Sequence, residues 1–147
     1  MRSLEVRYQR ATRDAREMVD EILAADADDQ AWVEQLGPAL SGATVARMLG
    51  VSPQAVSSNK GLLRLRMRSG RVGYPIFQFA GKRPVDGLAD IIRMLGPLVA
   101  TDWTTASWLT SSSEDLGGET PIDALRDGHR PATVAIAAQR FAAALST

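Results

Sequence analysis

The sequence predicts a mainly α protein with one small β-hairpin, and three observations predict it. Apolar residues recur at three- and four-residue steps through most of the 147 residues, as one face of a helix requires. A single stretch, Leu63-Arg64-Leu65-Arg66-Met67-Arg68, alternates strictly, and a period of two belongs to a strand. Between the periodic segments stand Ser or Thr followed by Pro, and Gly at the far end, the start and stop signals of short helices.

In chain order, Ser3 caps a first helix over residues 3–25, with Leu4, Tyr8, Ala11, Ala15, Met18, Ile22 and Ala25 on one face. Such a helix either lies across its own domain or serves as a dimerisation arm. Residues 26–29 separate it from a second helix carrying Trp32, Val33 and Leu36, which Gly37-Pro38 stops. Residues 41–61 read SGATVARMLGVSPQAVSSNKG. Ser41 caps a helix that reaches Leu49, Gly50 makes the turn, and Ser52 caps a second helix with Pro53 at its first position. Ala46 lets the two helices approach, while Val45, Leu49, Val51 and Val56 supply the core between them. This is the spacing of a helix-turn-helix. A plain αα-hairpin is the alternative.

Charge favours the first reading. Residues 41–83 hold eight Lys or Arg and no Asp or Glu, although the chain as a whole is neutral. Residues 1–40 hold five Arg against nine acids, and residues 84–147 hold four Arg against eight. A segregated positive block attracts polyanions, of which nucleic acid is the commonest in a cell. The second helix exposes Gln54, Ser57, Ser58, Asn59 and Lys60. Gln and Asn bond adenine edges, Ser reads several acceptors and Lys finds phosphate. Asn59 stands where many such helices are apolar.

The alternating stretch places Leu63, Leu65 and Met67 inward and Arg64, Arg66 and Arg68 outward. Ser69-Gly70 turns the chain, and residues 71–79 return as the second strand, with Pro75 holding it at an edge or bulge. A basic hairpin after a helix-turn-helix is wing-like and would lay these Arg and Arg71 along phosphates. An ordinary edge hairpin kept soluble by Arg is the other possibility. Residues 80–84 read as a linker, where the charge changes sign. The expected organisation is therefore an N-terminal helical arm (1–40), a basic helix-turn-helix with hairpin (41–83) and a helical module (84–147).

In the last part, residues 85–95 form an amphipathic helix with Leu88, Ile91, Ile92 and Leu95 inward. Thr101 or Asp102 caps the next, which carries Trp103 and Trp108 on nearby faces, where both rings can simply be core. Residues 111–115 are loop and Leu116-Gly117-Gly118 is a turn. Thr120 caps a short helix with Pro121 first and Ile122 and Leu125 buried; Gly128 ends it. Pro131 opens a final helix with Val134, Ala135, Ala138, Phe141, Ala142 and Leu145 on one stripe.

Several kinds of chemistry are missing. Cysteine is absent, so no disulfide or thiolate metal site exists. There is no HExxH, P-loop or nucleophile elbow. His129, the one histidine, sits in a DGHRP loop and reads as solvated, and Asp123 and Asp127 read as surface carboxylates. A protein without catalysis, cofactor or metal is expected, with a hydrolase using His129 as the remaining enzymatic alternative. The start MRSLEVRYQR has no apolar signal core, and no apolar run approaches the roughly 20 residues of a membrane helix. A cytoplasmic protein is expected.

Residues 102–128, DWTTASWLTSSSEDLGGETPIDALRDG, resemble the toxin-binding domain of the Xre/MbcA/ParS antitoxins. The resemblance lies in Trp108-Leu109, Leu116-Gly117-Gly118, Thr120-Pro121-Ile122-Asp123-Ala124-Leu125 and Gly128. Tyr74-Pro75-Ile76-Phe77-Gln78-Phe79 resembles a segment of some two-part members, so that the likeness spans roughly residues 40–147. Glu119 departs from the basic residue usual in that family. The resemblance implies a type II antitoxin. Its partners would be a RES-domain toxin encoded nearby, which consumes NAD or modifies proteins with its ADP-ribose, and operator DNA. It would form a homodimer or higher oligomer and need no cofactor. Trp108, Gly117, Gly118, Thr120, Pro121 and Arg140 become candidate toxin contacts. The competing reading is a stand-alone helix-turn-helix regulator whose C-terminal helices only dimerise.

Overall fold

The computed structural model describes Glu34, residues 36–128 and residues 130–146. The expected helix over residues 3–25, Trp32, Val33 and His129 lie outside the described residues. In chain order the elements are β1 (Ala39–Leu40), α1 (Gly42–Leu49), α2 (Pro53–Ser57), β2 (Leu65–Arg66) and β3 (Val72–Pro75), then a 3-10 turn (Ile76–Gln78), β4 (Phe79–Ala80) and β5 (Arg83–Pro84). There follow α3 (Leu88–Leu95), a 3-10 turn (Gly96–Leu98), α4 (Asp102–Leu109), a third 3-10 turn (Glu114–Leu116), α5 (Pro121–Asp127) and α6 (Pro131–Leu145). The chain is mainly helical, with small antiparallel sheets.

The helix starts follow the sequence closely. Ser41 Oγ accepts the Thr44 N–H at 3.2 Å, Ser52 Oγ that of Ala55 at 3.1 Å, and Thr120 Oγ1 that of Asp123 at 3.2 Å. Each bond satisfies a donor that the first helical turn leaves open. Thr101, not Asp102, caps α4, accepting from Trp103 N at 3.3 Å. Gly50 and Gly128 close α1 and α5 in the left-handed region, at φ 70° and 67°, where glycine has no Cβ to clash.

The sheets differ from expectation in three places. First, β3 is the central strand of a three-stranded sheet ordered β1-β3-β2, and it ends at Pro75 instead of running to Phe79. At Pro75 itself only β1 still pairs, because the β2 ladder covers Val72 and Gly73 alone. The next N–H, of Ile76, donates to Pro38 O at 2.9 Å, so the proline nitrogen faces the open side, where no ladder bond is lost. Second, β1 adds to the sheet, pairing Ala39 with Pro75 and Leu40 with Tyr74. Third, residues 80–84 are not a linker. Phe79 pairs with Pro84 and Ala80 with Arg83 across Gly81 at φ 62°, a tight hairpin whose glycine supplies the positive φ.

The β1–β3 approach is close enough to require glycine. A Cβ on Gly73 would stand 2.7 Å from the Ala39 Cβ. Gly73→Ala is expected to lower stability by about 1–3 kcal/mol through this overlap. Urea unfolding should show Ala39→Gly recovering much of the loss in the double variant.

Buried side chains form two clusters. The smaller holds Val45, Ala46, Val56, Leu62, Tyr74 and Phe79 around α1 and α2. Val51, expected in it, is 45% exposed. Leu62, Tyr74 and Phe79 arrive from downstream to complete this core, and Val51 is left outside at the turn between the two helices. The larger cluster gathers α3 to α6 and includes Leu36, Leu63 and Leu65. Leu88, Ile91, Ile92 and Leu95 are buried as expected, although α3 begins at Leu88 because Gly87 sits at φ 83°. On α6 the buried residues are Val134, Ala137 and Ala138. Ala135, expected inward, is exposed, since Ala137 fills that place on the stripe.

Packing crosses both expected boundaries. Leu36, β1, Leu63 and Leu65 each join partners from another segment. Gln78, fully buried, accepts Leu63 N–H at 2.8 Å and donates to Leu63 O at 3.0 Å. Arg126 of α5 donates to the carbonyls of Phe77 and Phe79.

Candidate functional site

The residues expected to meet DNA fall into two groups. Gln54 and Ser57 are on α2 and exposed. Ser58 is the residue that ends α2, and Asn59 and Lys60 lie beyond it in the turn, which corrects the expectation that one helix carries all five. The Ser57 and Ser58 hydroxyls donate to Gln54 O at 3.2 and 2.6 Å. Asn59 Oδ1 accepts Gly61 N–H at 2.8 Å, an Asx turn. That bond explains why no apolar residue stands at position 59: the helix is already over, and the amide shapes the exit.

The alternation of residues 63–68 survives although only Leu65 and Arg66 pair with β3. Leu63 and Leu65 are buried, Met67 is half-buried, and Arg64, Arg66 and Arg68 are exposed. Their backbone is held from behind by the first turn of α4. Arg64 N–H donates to Asp102 Oδ2 at 2.9 Å, and Trp103 Nε1 donates to Arg66 O at 2.9 Å. Arg71 closes the hairpin loop through its N and Nε, which donate to Ser69 Oγ at 3.4 and 3.3 Å.

These elements enclose a groove of about 1030 Å³ running from the end of α2 along β2 to α3 and α4. Asn59, Lys60, Arg64, Arg66 and Arg68 line it, together with Arg93 and Trp103 from the C-terminal part. Sequence reasoning missed the last two. Arg93 was hidden by the acidic balance of residues 84–147, and no spacing rule connects it to residues 60–68.

The candidate toxin contacts are placed differently. Trp108 stacks on Phe141 of α6, ring centroids 5.4 Å apart and planes 10° from parallel, so it is a half-buried packing element. It also lines a shallow cavity of about 510 Å³ with Trp103, Ser107, Ser111 and Phe141. Gly117 and Gly118 are exposed at φ 66° and 92°. Thr120 is the α5 cap, and Pro121 is buried. Arg140 reaches Asp115 Oδ1 at 2.8 Å. Glu119, the departure from the family pattern, is paired through one oxygen: its Oε1 accepts from Arg130 Nη2 at 3.2 Å, and the same nitrogen donates to Leu116 O at 3.1 Å, while the buried Oε2 has no hydrogen-bond partner. Arg130 thus ties together Leu116 and Glu119, which flank the two glycines, and Arg140 holds Asp115 just before them.

Among the described residues, no group of three or more His, Cys, Asp or Glu is arranged to hold a metal ion. None of their helices is long and apolar enough to cross a membrane. Asp123 and Asp127 are exposed on α5.

No protein-family model matches the chain, and neither does any curated protein. Among solved structures it is similar to the NMR structure of Rv2175c, with 24% sequence identity and a TM-score of 0.59 over 71% of this chain and 81% of that one. At that identity the likeness is one of fold.

Proposed function

We propose that this protein is a DNA-binding antitoxin. Residues 41–83 would grip DNA as a helix-turn-helix with a basic wing, and residues 84–147 would block a RES-type, NAD-consuming toxin. The observation that carries the DNA reading is the row Arg64, Arg66 and Arg68. It stands exposed beside α2 on a strand whose backbone is held by Asp102 and Trp103. Gln54 and Ser57 then read base edges while the cations position the protein. The toxin half of the proposal rests on the resemblance of residues 102–128 and on the exposed glycine turn that Arg130 and Arg140 brace.

The test is capture of the neighbouring reading frame's product by the full chain, followed by an NAD-consumption assay of the complex. Co-purification with suppressed NAD loss is expected. NAD loss that continues unchanged in the presence of the chain removes the antitoxin role. Deleting α6 is not a useful variant, because Val134, Ala137 and Ala138 are core. Arg140→Glu is better. Its ion pair with Asp115 is 68% and 39% exposed on the two sides, and such pairs contribute about 1 kcal/mol at most. Capture should weaken while thermal unfolding barely moves.

One observation favours a stand-alone regulator instead. Ile136 on α6 is 51% exposed, a place for a second copy to pack. Both readings allow a homodimer, so capture distinguishes them: a dimer broken by Ile136→Asp in light scattering, together with no toxin captured by the unaltered chain, is the regulator's signature.

A further inference from the structure

We infer that Arg93, from the acidic C-terminal part, is a DNA phosphate ligand in the same groove as Lys60, Arg64, Arg66 and Arg68. The inference rests on the DNA-binding reading above and extends the contact surface past residue 83. Three observations carry it.

The first is convergence. Five cations line one concavity of about 1030 Å³, and Asp102 is the carboxylate among them. Asp102 is already engaged, its Oδ2 accepting Arg64 N–H at 2.9 Å. A concave basic wall focuses its field on a polyanion. The second is placement. The Arg93 guanidinium lies against the turn that leaves α2: a Cβ built on Gly61 would stand 3.1 Å from its Cζ and Nη2, and 3.0 Å from the Ala89 Cβ. Gly61 therefore lets α3 bring this guanidinium against the turn, into the groove that Asn59 and Lys60 also line. The third is that the charge is not spent elsewhere. Among the described residues no carboxylate pairs with Arg93, Lys60, Arg64 or Arg66, and Arg93 is exposed. Arg presents a fork of donors suited to phosphate oxygens.

The experiment measures binding of the full chain to a labelled duplex oligonucleotide of arbitrary sequence as salt is varied. The unaltered chain is compared with Arg93→Gln, Arg93→Lys and Arg64→Ala. Each phosphate contact adds about 0.9 to the slope of log affinity against log salt, so losing one weakens binding roughly 8-fold near 0.1 M salt. Arg93→Gln should lose one such step and Arg93→Lys should keep it, with the unfolding midpoint unchanged in both. If Arg93→Gln binds as the unaltered chain does while Arg64→Ala loses a step, Arg93 is not a phosphate ligand and the DNA-binding reading stands. If the unaltered chain shows no salt-dependent binding, the reading and the inference fall together. A slope lost equally in Arg93→Gln and Arg93→Lys, with a lowered unfolding midpoint, also overturns the inference, since the residue would then be structural.

Discussion

Gln78→Ala should lower the free energy of unfolding by about 2–6 kcal/mol. Gln78 is fully buried and joins both backbone groups of Leu63, at 2.8 and 3.0 Å. Removing the amide leaves an N–H and a C=O inside the larger cluster with no partner, at about 1–3 kcal/mol for each. Against a typical total stability of roughly 5–15 kcal/mol, the loss is severe. Gln78→Leu fills the space but leaves the same two groups open, so it should recover little. Equilibrium urea unfolding is the measurement. A loss under about 1 kcal/mol for Gln78→Ala would mean that the Leu63 backbone finds other partners and that Gln78 is not what holds the start of the Arg strand.

Replacing Arg64, Arg66 and Arg68 together by Ala should weaken DNA binding across all sequences. The slope of log affinity against log salt should fall by about 2.7 at most, which is roughly 500-fold in affinity near 0.1 M salt. Because all three side chains are exposed, stability should change by no more than about 0.5 kcal/mol for each. Sequence preference should survive, since Gln54 and Ser57 on α2 are untouched. A salt slope equal to that of the unaltered chain would take the hairpin off the phosphate backbone. Changing Leu63 or Leu65 to Ala instead, both buried, would cost about 2–5 kcal/mol of stability and so confound any effect on DNA. The alternation of this stretch thus separates an exposed basic face from a core face within six residues.

Much of the helical architecture is legible in the chain, for a local reason. A cap bonds a backbone N–H three residues ahead, and a helix face repeats every three or four residues, so Ser41, Ser52, Thr120 and the stripe Leu88, Ile91, Ile92 and Leu95 could all be read from neighbours. The misreadings occur where distant segments decide. Pro75 suggested an edge, which holds at its own position, but Pro38 and Ala39 arrive from upstream and make β3 central at Val72 and Gly73. Residues 80–84 read as a linker, and only the pairing of Phe79 with Pro84 shows them to be a hairpin. Gln78 falls within residues 71–79, which read as one strand; the fold instead puts it in a 3-10 turn, buried onto Leu63. Ala135 and Ala137 are interchangeable in a sequence pattern, and the packing of α6 chooses the second.

The sequence by itself determined the segregation of charge, the two-faced strand and the ends of the helices, because these depend on composition and on contacts within a few residues. The tertiary structure decided where the basic surface stops. Gly61, having no side chain, lets α3 close on the turn after α2, and Asp102 and Trp103 fasten α4 behind the Arg strand. The change of charge sign near residue 84 is real in the sequence but is not a wall in space. Arg93, separated from Lys60 by more than thirty positions, stands in the same groove because packing, and not proximity along the chain, brings cations together.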